Sequence, residues 1–280
     1  MDAQKHTQPA ADVPAGENAF GRTSKLSLVI APGKIRELFF TAPYKILRPF
    51  HQQGFLQIMV VKVSAGTMAG DRQDVDICLE DGAKAEFLSQ SYEKIHRMDE
   101  GEAVRSGHIE VGRNATLFYA PLPVLPFADS AFRNTFHIEL RDASSRLFYS
   151  DILACGRAAR GEHFLYRLYR SRVKIYQADE LVYFDNLRFT PKDNPFDYAG
   201  LTQYEGYTHL GTYLLMNFPL QEEELRDFIE TIPVAASCEI GLTAFAPQCF
   251  CLKSLANGSE PLVELQTQIK NRLRQETEKV

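Results

Sequence analysis

Three stretches decide how this chain folds: VDICLEDGAKAEFLSQ (residues 75–90), GHIEVGRNATLFYAP (107–121) and FHIELRDASSRLFYSD (136–151). Each reads as a strand, a polar turn and a second strand, because Val, Ile, Leu, Phe and Tyr alternate with polar residues on either side of the turn. Ile77, Ile109 and Ile138 recur at steps of 32 and 29 residues, and Phe87, Phe118 and Phe148 at steps of 31 and 30. A supersecondary unit repeated at this period cannot bury its apolar face alone, so the spacing predicts similar β-hairpins stacked as layers.

The same period-two alternation extends outward from KLSLVI (25–30) to LVYFDNLRF (181–189). A helical period first appears in QEEELRDFIETI (221–232), where Leu225, Phe228 and Ile229 share a face. The clearest helix is SEPLVELQTQIKNRLRQETEKV (259–280), in which Ser259 suits the cap, Pro261 the first turn, and Leu262, Leu265, Ile269 and Leu273 form a stripe. Between the helices, SCEIGLTAFA (237–246) and QCFCLKSLA (248–256) read as strands. The expected fold is therefore mainly β: stacked layers of strands and hairpins, with a small α/β C-terminal part from about residue 205 containing about two helices. Residues 1–22, rich in Ala, Pro, Gly and polar side chains, are expected to be a mobile arm before a single domain over 23–280.

Composition narrows the function. The 280 residues are 45% hydrophobic and 24% charged, ordinary for a soluble globular protein, and a formal charge of -5 argues against a nucleic-acid partner. The opening MDAQKHTQPAADVPAGENAFGR has no apolar h-region and no apolar run is long enough to span a bilayer, so a cytoplasmic protein is expected. Five scattered cysteines, an odd number, fit reduced thiols.

GTMAGDR (66–72) has the glycines of a phosphate loop, but Asp71 and Arg72 follow Gly70 where a Walker loop needs Lys and a hydroxyl. The glycines serve a tight reversal that presents the Asp71 carboxylate, either as a turn residue bonding its own backbone or as a site residue. The seven histidines form no His-Glu-x-x-His pattern. The repeat nevertheless brings Asp76, His108 and His137 to equivalent positions, which is either a solvated outer face or a ladder for a divalent metal. Cys249 and Cys251 lie on one side of a strand, as packing residues or a soft-metal pair. SDILACGRAARGEHF (150–164) gathers Asp151, Arg157, Arg160, Glu162 and His163, a structural salt-bridge network or a site. No Ser-His-Asp or Cys-His arrangement can be assembled.

Four stretches, SAGTMAGDRQDVDI (64–77), SQSYEKIHR (89–97), YSDILACGRAARGEHF (149–164) and LVYFDNLRF (181–189), resemble in this order the urease accessory protein family UreD, called UreH in some bacteria. Gly156-Arg157 followed by Gly161-Glu162 and Phe164 is similar to the family's Gly-Arg-x-x-x-Gly-Glu-x-Phe, and Gly70-Asp71-Arg72 to its Gly-Gly-Asp-Arg turn. Ala65-Gly66-Thr67 stands where the family commonly has Pro-Gly-Gly, Ala69 replaces a Gly, and Tyr149-Ser150-Asp151 stands where many members have Trp-Asp; the pattern is closer to the UreH branch. The resemblance implies a non-enzymatic metallochaperone scaffold that binds apo-urease and UreF, which recruits the GTPase UreG, and that passes Ni(II) along an internal water-filled route. Carried over by motif, Asp71, Asp151, Glu162 and Asp185 are the expected route carboxylates, with Asp71 and Glu162 in one passage. No tightly bound cofactor is implied, only transient Ni(II). Oxygen donors hold Ni(II) less firmly than imidazole or thiolate, which suits transit. The alternative from another class is a metal-dependent β-fold hydrolase using His108, His137 and nearby carboxylates.

Overall fold

The computed structural model describes residues 21–192, 198, 200 and 203–278, so the predicted N-terminal arm lies almost wholly outside the described residues. The first strands are β1 (Thr23–Ala31), β2 (Lys34–Phe40), β3 (Tyr44–Ile46), β4 (Phe50–Gln52) and β5 (Phe55–Lys62). The repeat region supplies β6 (Arg72–Leu79), β7 (Lys84–Ser89), β8 (Glu93–Ile95), β9 (Ala103–Val111), β10 (Thr116–Tyr119), β11 (Val124–Pro126), β12 (Ala131–Leu140) and β13 (Arg146–Ala154). There follow β14 (Leu168–Gln177), β15 (Glu180–Phe189), β16 (His209–Met216), α1 (Glu222–Thr231), β17 (Cys238–Ala246), β18 (Cys249–Ala256) and α2 (Ser259–Glu278). The mainly β fold with its two C-terminal helices is the one the alternation predicts, and β17 and β18 fall on the two stretches read as strands. No helix among the described residues is long and apolar enough to cross a membrane.

The strands form a seven-stranded sheet in the order β15-β14-β12-β9-β6-β1-β2 and an eleven-stranded sheet whose main path is β17-β18-β16-β13-β10-β7-β5-β3. This corrects one expectation: the two strands of each repeat unit do not pair as a hairpin. β6, β9 and β12 lie side by side in the first sheet and β7, β10 and β13 in the second, so every polar turn is an arc that carries the chain between sheets. Each strand pairs in parallel with its equivalent from the next unit. Such an arrangement buries the inward face of both strands at once, which a flat hairpin would leave half exposed.

Register follows the isoleucines, with Ile77 opposite Ile109 and Ile109 opposite Ile138. It does not follow the phenylalanines throughout. Phe118 pairs with Phe148, but Phe87 pairs with Tyr119, and Glu86 takes the position level with Phe118. The first and second arcs bring Glu86 and Phe118 level, so Phe87 lies one residue past the phenylalanine position, and a one-residue offset exchanges the faces. Phe87, Tyr119 and Tyr149 therefore stack between the sheets at centroid spacings of 4.8 and 5.4 Å.

Glu86 faces the other way, towards the helices, and is buried. There it pairs with Lys270 and Arg274 of α2 and accepts a hydrogen bond from Gln57 Nε2 at 2.6 Å. The cations sit four residues apart on α2, so one helix face presents both. Leu262, Leu265, Ile269 and Leu273 are fully buried in the same layer with Leu225 and Ile229 of α1. The α2 stripe is thus consumed by packing on its own sheet, while the Ser259 hydroxyl exchanges a 2.6 Å hydrogen bond with Tyr92.

Candidate functional site

The inward face of the seven-stranded sheet is apolar at most positions but polar along one row. Ser24, Gln73, Arg105, Asn134 and Ser171 stand opposite one another on β1, β6, β9, β12 and β14, each at most 9% exposed. The row separates two apolar clusters, one containing Leu28, Ile77, Ile109 and Ile138 and the other Ala103, Phe132, Tyr166 and Tyr169. Burying five polar side chains in register costs free energy unless partners lie opposite. The facing sheet and its loops supply them.

Glu93 is the anchor at one end. It pairs with Lys62 at 2.7 Å and with Arg105, and it accepts a 2.6 Å hydrogen bond from Thr67 Oγ1. Burial works against this carboxylate, but the two cations and the Thr67 hydroxyl hold its pKa down to about 2. Gln73 links the parts, donating to Thr67 Oγ1 at 2.8 Å and accepting from Arg105 Nε at 3.0 Å. Thr67 thus contributes a hydroxyl to the row.

Asp151 on β13 faces the other end of the row. Ser171 Oγ donates to it at 2.9 Å and the Tyr169 hydroxyl lies 3.4 Å away. Burial raises its pKa above the ordinary carboxylate value, the Ser171 bond and Arg105 opposing and Asp185 adding. Asn134, between Arg105 and Ser171, has a buried Oδ1 without a hydrogen-bond partner among the described residues.

Four cavities follow this row, and successive ones share lining residues. An outer cavity of about 390 Å³ is bounded by Arg22, Lys62, Thr67, Asp71 and Gln73. Lys62 also lines the central cavity of about 60 Å³, with Glu93, Arg105, Asn134 and Asp151. Asp151 is shared with a pocket of about 20 Å³ that reaches Ser171, Tyr183 and Asp185. Tyr183 and Asp185 then border a mouth of about 380 Å³ with Cys251 and Lys253. The central volume accommodates a few water-sized molecules, roughly 10–15 Å³ each by this measure.

The sequence-selected residues divide. Asp71, Asp151 and Asp185 line this chain of cavities, at its start, middle and end. Asp71 also closes its own turn, accepting the Met68 N–H at 2.8 Å, so the turn reading and the cavity position hold together. Gly66 and Gly70 take φ of +153° and +78°, while Ala69 is not in the left-handed region, which explains why alanine is accommodated there. Asp185 pairs with Lys253 at 3.0 Å. Glu162 is not among the residues lining these four cavities. It pairs with Arg157, whose Nε donates to it at 2.8 Å, and accepts the Ala128 N–H at 3.1 Å. Asp71 and Glu162, expected in one passage, do not share any of these cavities, whereas Asp71, Asp151 and Asp185 each border one of them.

Cys249 and Cys251 pack against the inter-sheet cluster, with thiols near Asn217 Oδ1 at 3.6 Å and the Tyr183 hydroxyl at 3.7 Å. All five cysteines are free thiols. Sequence reasoning missed Lys62, Glu93 and Arg105 as site residues. The signal was present in AVRSGHIEV, where Arg105 occupies the inward phase of Ala103, Ile109 and Val111.

A stacked two-sheet β scaffold with helices on one outer face and a polar row through its core defines the class. The UreD urease accessory protein family matches residues 25–279. The chain is 37% identical over 258 residues to the urease accessory protein UreH of Helicobacter pylori strain P12, covering 90% of this chain and 95% of that protein. It is 34% identical over 261 residues to the urease accessory protein UreD of Acetivibrio thermocellus, covering 91% and 98%. The chain belongs to the UreD urease accessory protein family.

Proposed function

We propose that this protein is a non-catalytic cytoplasmic metallochaperone scaffold that binds apo-urease and UreF, with UreG joining through UreF, and conducts Ni(II) along the cavities between its sheets. Family membership supports the urease-maturation role. The observation that carries the route is Asp151, a carboxylate held in the core at the joint between two cavities. At an effective dielectric of about 20, a doubly charged ion about 4 Å from a carboxylate gains about 8 kcal/mol. Keeping the carboxylate ionised in the core costs several kcal/mol, which offsets much of that gain, so the net hold is weak.

The lining is suited to transit in two further ways. The central cavity offers oxygen donors but neither imidazole nor thiolate, the ligands that would retain Ni(II). Lys62 and Arg105 balance Glu93 and Asp151, so the lining is close to neutral and does not form an anionic trap. Co-purification of a D151A/D185A variant with apo-urease and UreF, followed by urease activation at limiting nickel, tests the reading. An intact complex with reduced activation is expected. Full activation by the double variant would exclude these carboxylates from the route.

A further inference from the structure

The outer face of the seven-stranded sheet carries a second cluster. In-register parallel pairing sets Asp76 beside His108 and His108 beside His137. Each lies three residues beyond Gln73, Arg105 or Asn134 on its strand and so on the opposite face from the polar row. Glu139, two residues after His137, shares their face. Its Oε1 is 2.8 Å from His137 Nε2 and 3.6 Å from His108 Nε2. Among the described residues, His108, His137 and Glu139 are the one group of three His, Cys, Asp or Glu side chains whose donor atoms all lie within 4.8 Å of one another. Donors that share an ion at about 2.0–2.2 Å stand roughly 3.0–3.6 Å apart, so little rearrangement is needed.

Two features separate this group from an ordinary polar face. Asp76 Oδ1 lies 3.5 Å from His108 Nδ1, the place of the carboxylate that orients a metal-binding imidazole. With the proton on Nδ1, the Nε2 lone pair points to the other side of the ring. That Nε2 is shielded from solvent and has no hydrogen-bond partner among the described residues. The rings are also braced, His137 lying 4.8 Å from Tyr176 and 5.6 Å from His108 between centroids.

We infer that His108, His137 and Glu139 bind one borderline divalent transition-metal ion, with Asp76 orienting His108 and the Glu110 carboxylate, 3.8 Å from His108 Nε2, close enough to add a donor. Two imidazoles with one carboxylate favour Ni(II), Cu(II) or Zn(II) over Mg(II) or Ca(II). Lys174 stands next to His137 on β14, but its ammonium is drawn over the Phe184 ring, 5.8 Å from the centroid. The site does not depend on the internal route, since it lies on the opposite face of the sheet.

Titration of the full-length chain without a histidine tag, with Zn(II) and separately with Ni(II), tests the site by calorimetry and chelator competition. One equivalent is expected to bind here, with affinity falling more than about tenfold in H108Q and in H137Q and unchanged in H51Q, at an exposed histidine of β4. Unchanged affinity in the H108Q/H137Q double variant, or no binding of either ion, overturns the inference. Should a variant fail to fold, substoichiometric Cu(II) added to the wild-type protein decides through paramagnetic broadening. Selective loss of the His108 and His137 ring signals supports the site, and its absence overturns it.

Discussion

Replacing Asp151 by Asn should make the protein more stable at pH 7 and a poorer mediator of urease activation. The wild-type carboxylate is held in the core with a raised pKa, so folding at neutral pH has to bury an ionised group that the core disfavours. The residual cost of a buried ion in a real protein is several kcal/mol, and Arg105 and the hydroxyls return part of it. An amide removes that cost and keeps the 2.9 Å Ser171 bond at roughly half strength, a loss of about 1 kcal/mol. A net gain of about 1–2 kcal/mol follows, worth roughly 3–6 °C in Tm for a chain of this size. The sign with pH is definite. Below the ordinary value of 3.8 the carboxyl is protonated in both folded and unfolded chains, and wild-type stability falls as pH rises from there through the elevated folded value. The advantage of D151N should therefore be greatest at neutral pH and shrink towards pH 4. Thermal melts of both proteins across this range measure it. A D151N protein less stable at pH 7, or a difference that does not vary with pH, would refute the electrostatic account of the core.

Three other substitutions probe separate parts of the fold. E93Q leaves Lys62 and Arg105 buried without their anion and should cost about 3–5 kcal/mol in urea unfolding, whereas E162Q, at a partly exposed pair, should cost under about 1 kcal/mol. Burial pushes the His209 pKa from 6.5 down to about 4, so the unfolded chain takes up the proton first and stability is lost as pH falls between those values; H209Q should remove a loss of about 3 kcal/mol, seen as a flatter acid limb of Tm against pH. I269A, opening a cavity between α2 and the eleven-stranded sheet, should cost about 2–5 kcal/mol by chemical denaturation.

Much of the fold was legible from alternation. Ile77, Ile109 and Ile138 mark inward positions in register because a parallel stack repeats the same side chain in the same place. The α2 stripe was legible because its four apolar residues recur at helical spacing. The arcs were not, since a polar turn between two alternating runs reads the same whether the strands then pair or part. The offset of Phe87 was equally hidden, since nothing local says that Glu86 and not Phe87 stands level with Phe118. Glu86 shows the consequence. A charged residue level with two phenylalanines makes sense only once Lys270 and Arg274, nearly two hundred residues later in the chain, are seen beside it.

The candidate site divides along the same line. Motif resemblance singled out Asp71, Asp151, Glu162 and Asp185, and chemistry alone explained why carboxylates suit a passing cation. The sequence by itself determined that the chain is a layered β protein of the UreD kind, because periodicity and short motifs are local properties of the chain. Which carboxylates meet one another was decided only in three dimensions. Asp71 and Asp185 are far apart in sequence, yet they stand at the two ends of one row of cavities because six strands align Ser24, Gln73, Arg105, Asn134 and Ser171 against Asp151. Glu162 pairs with Arg157 away from these cavities. Strand register, not visible in composition or motif, set which carboxylates border them.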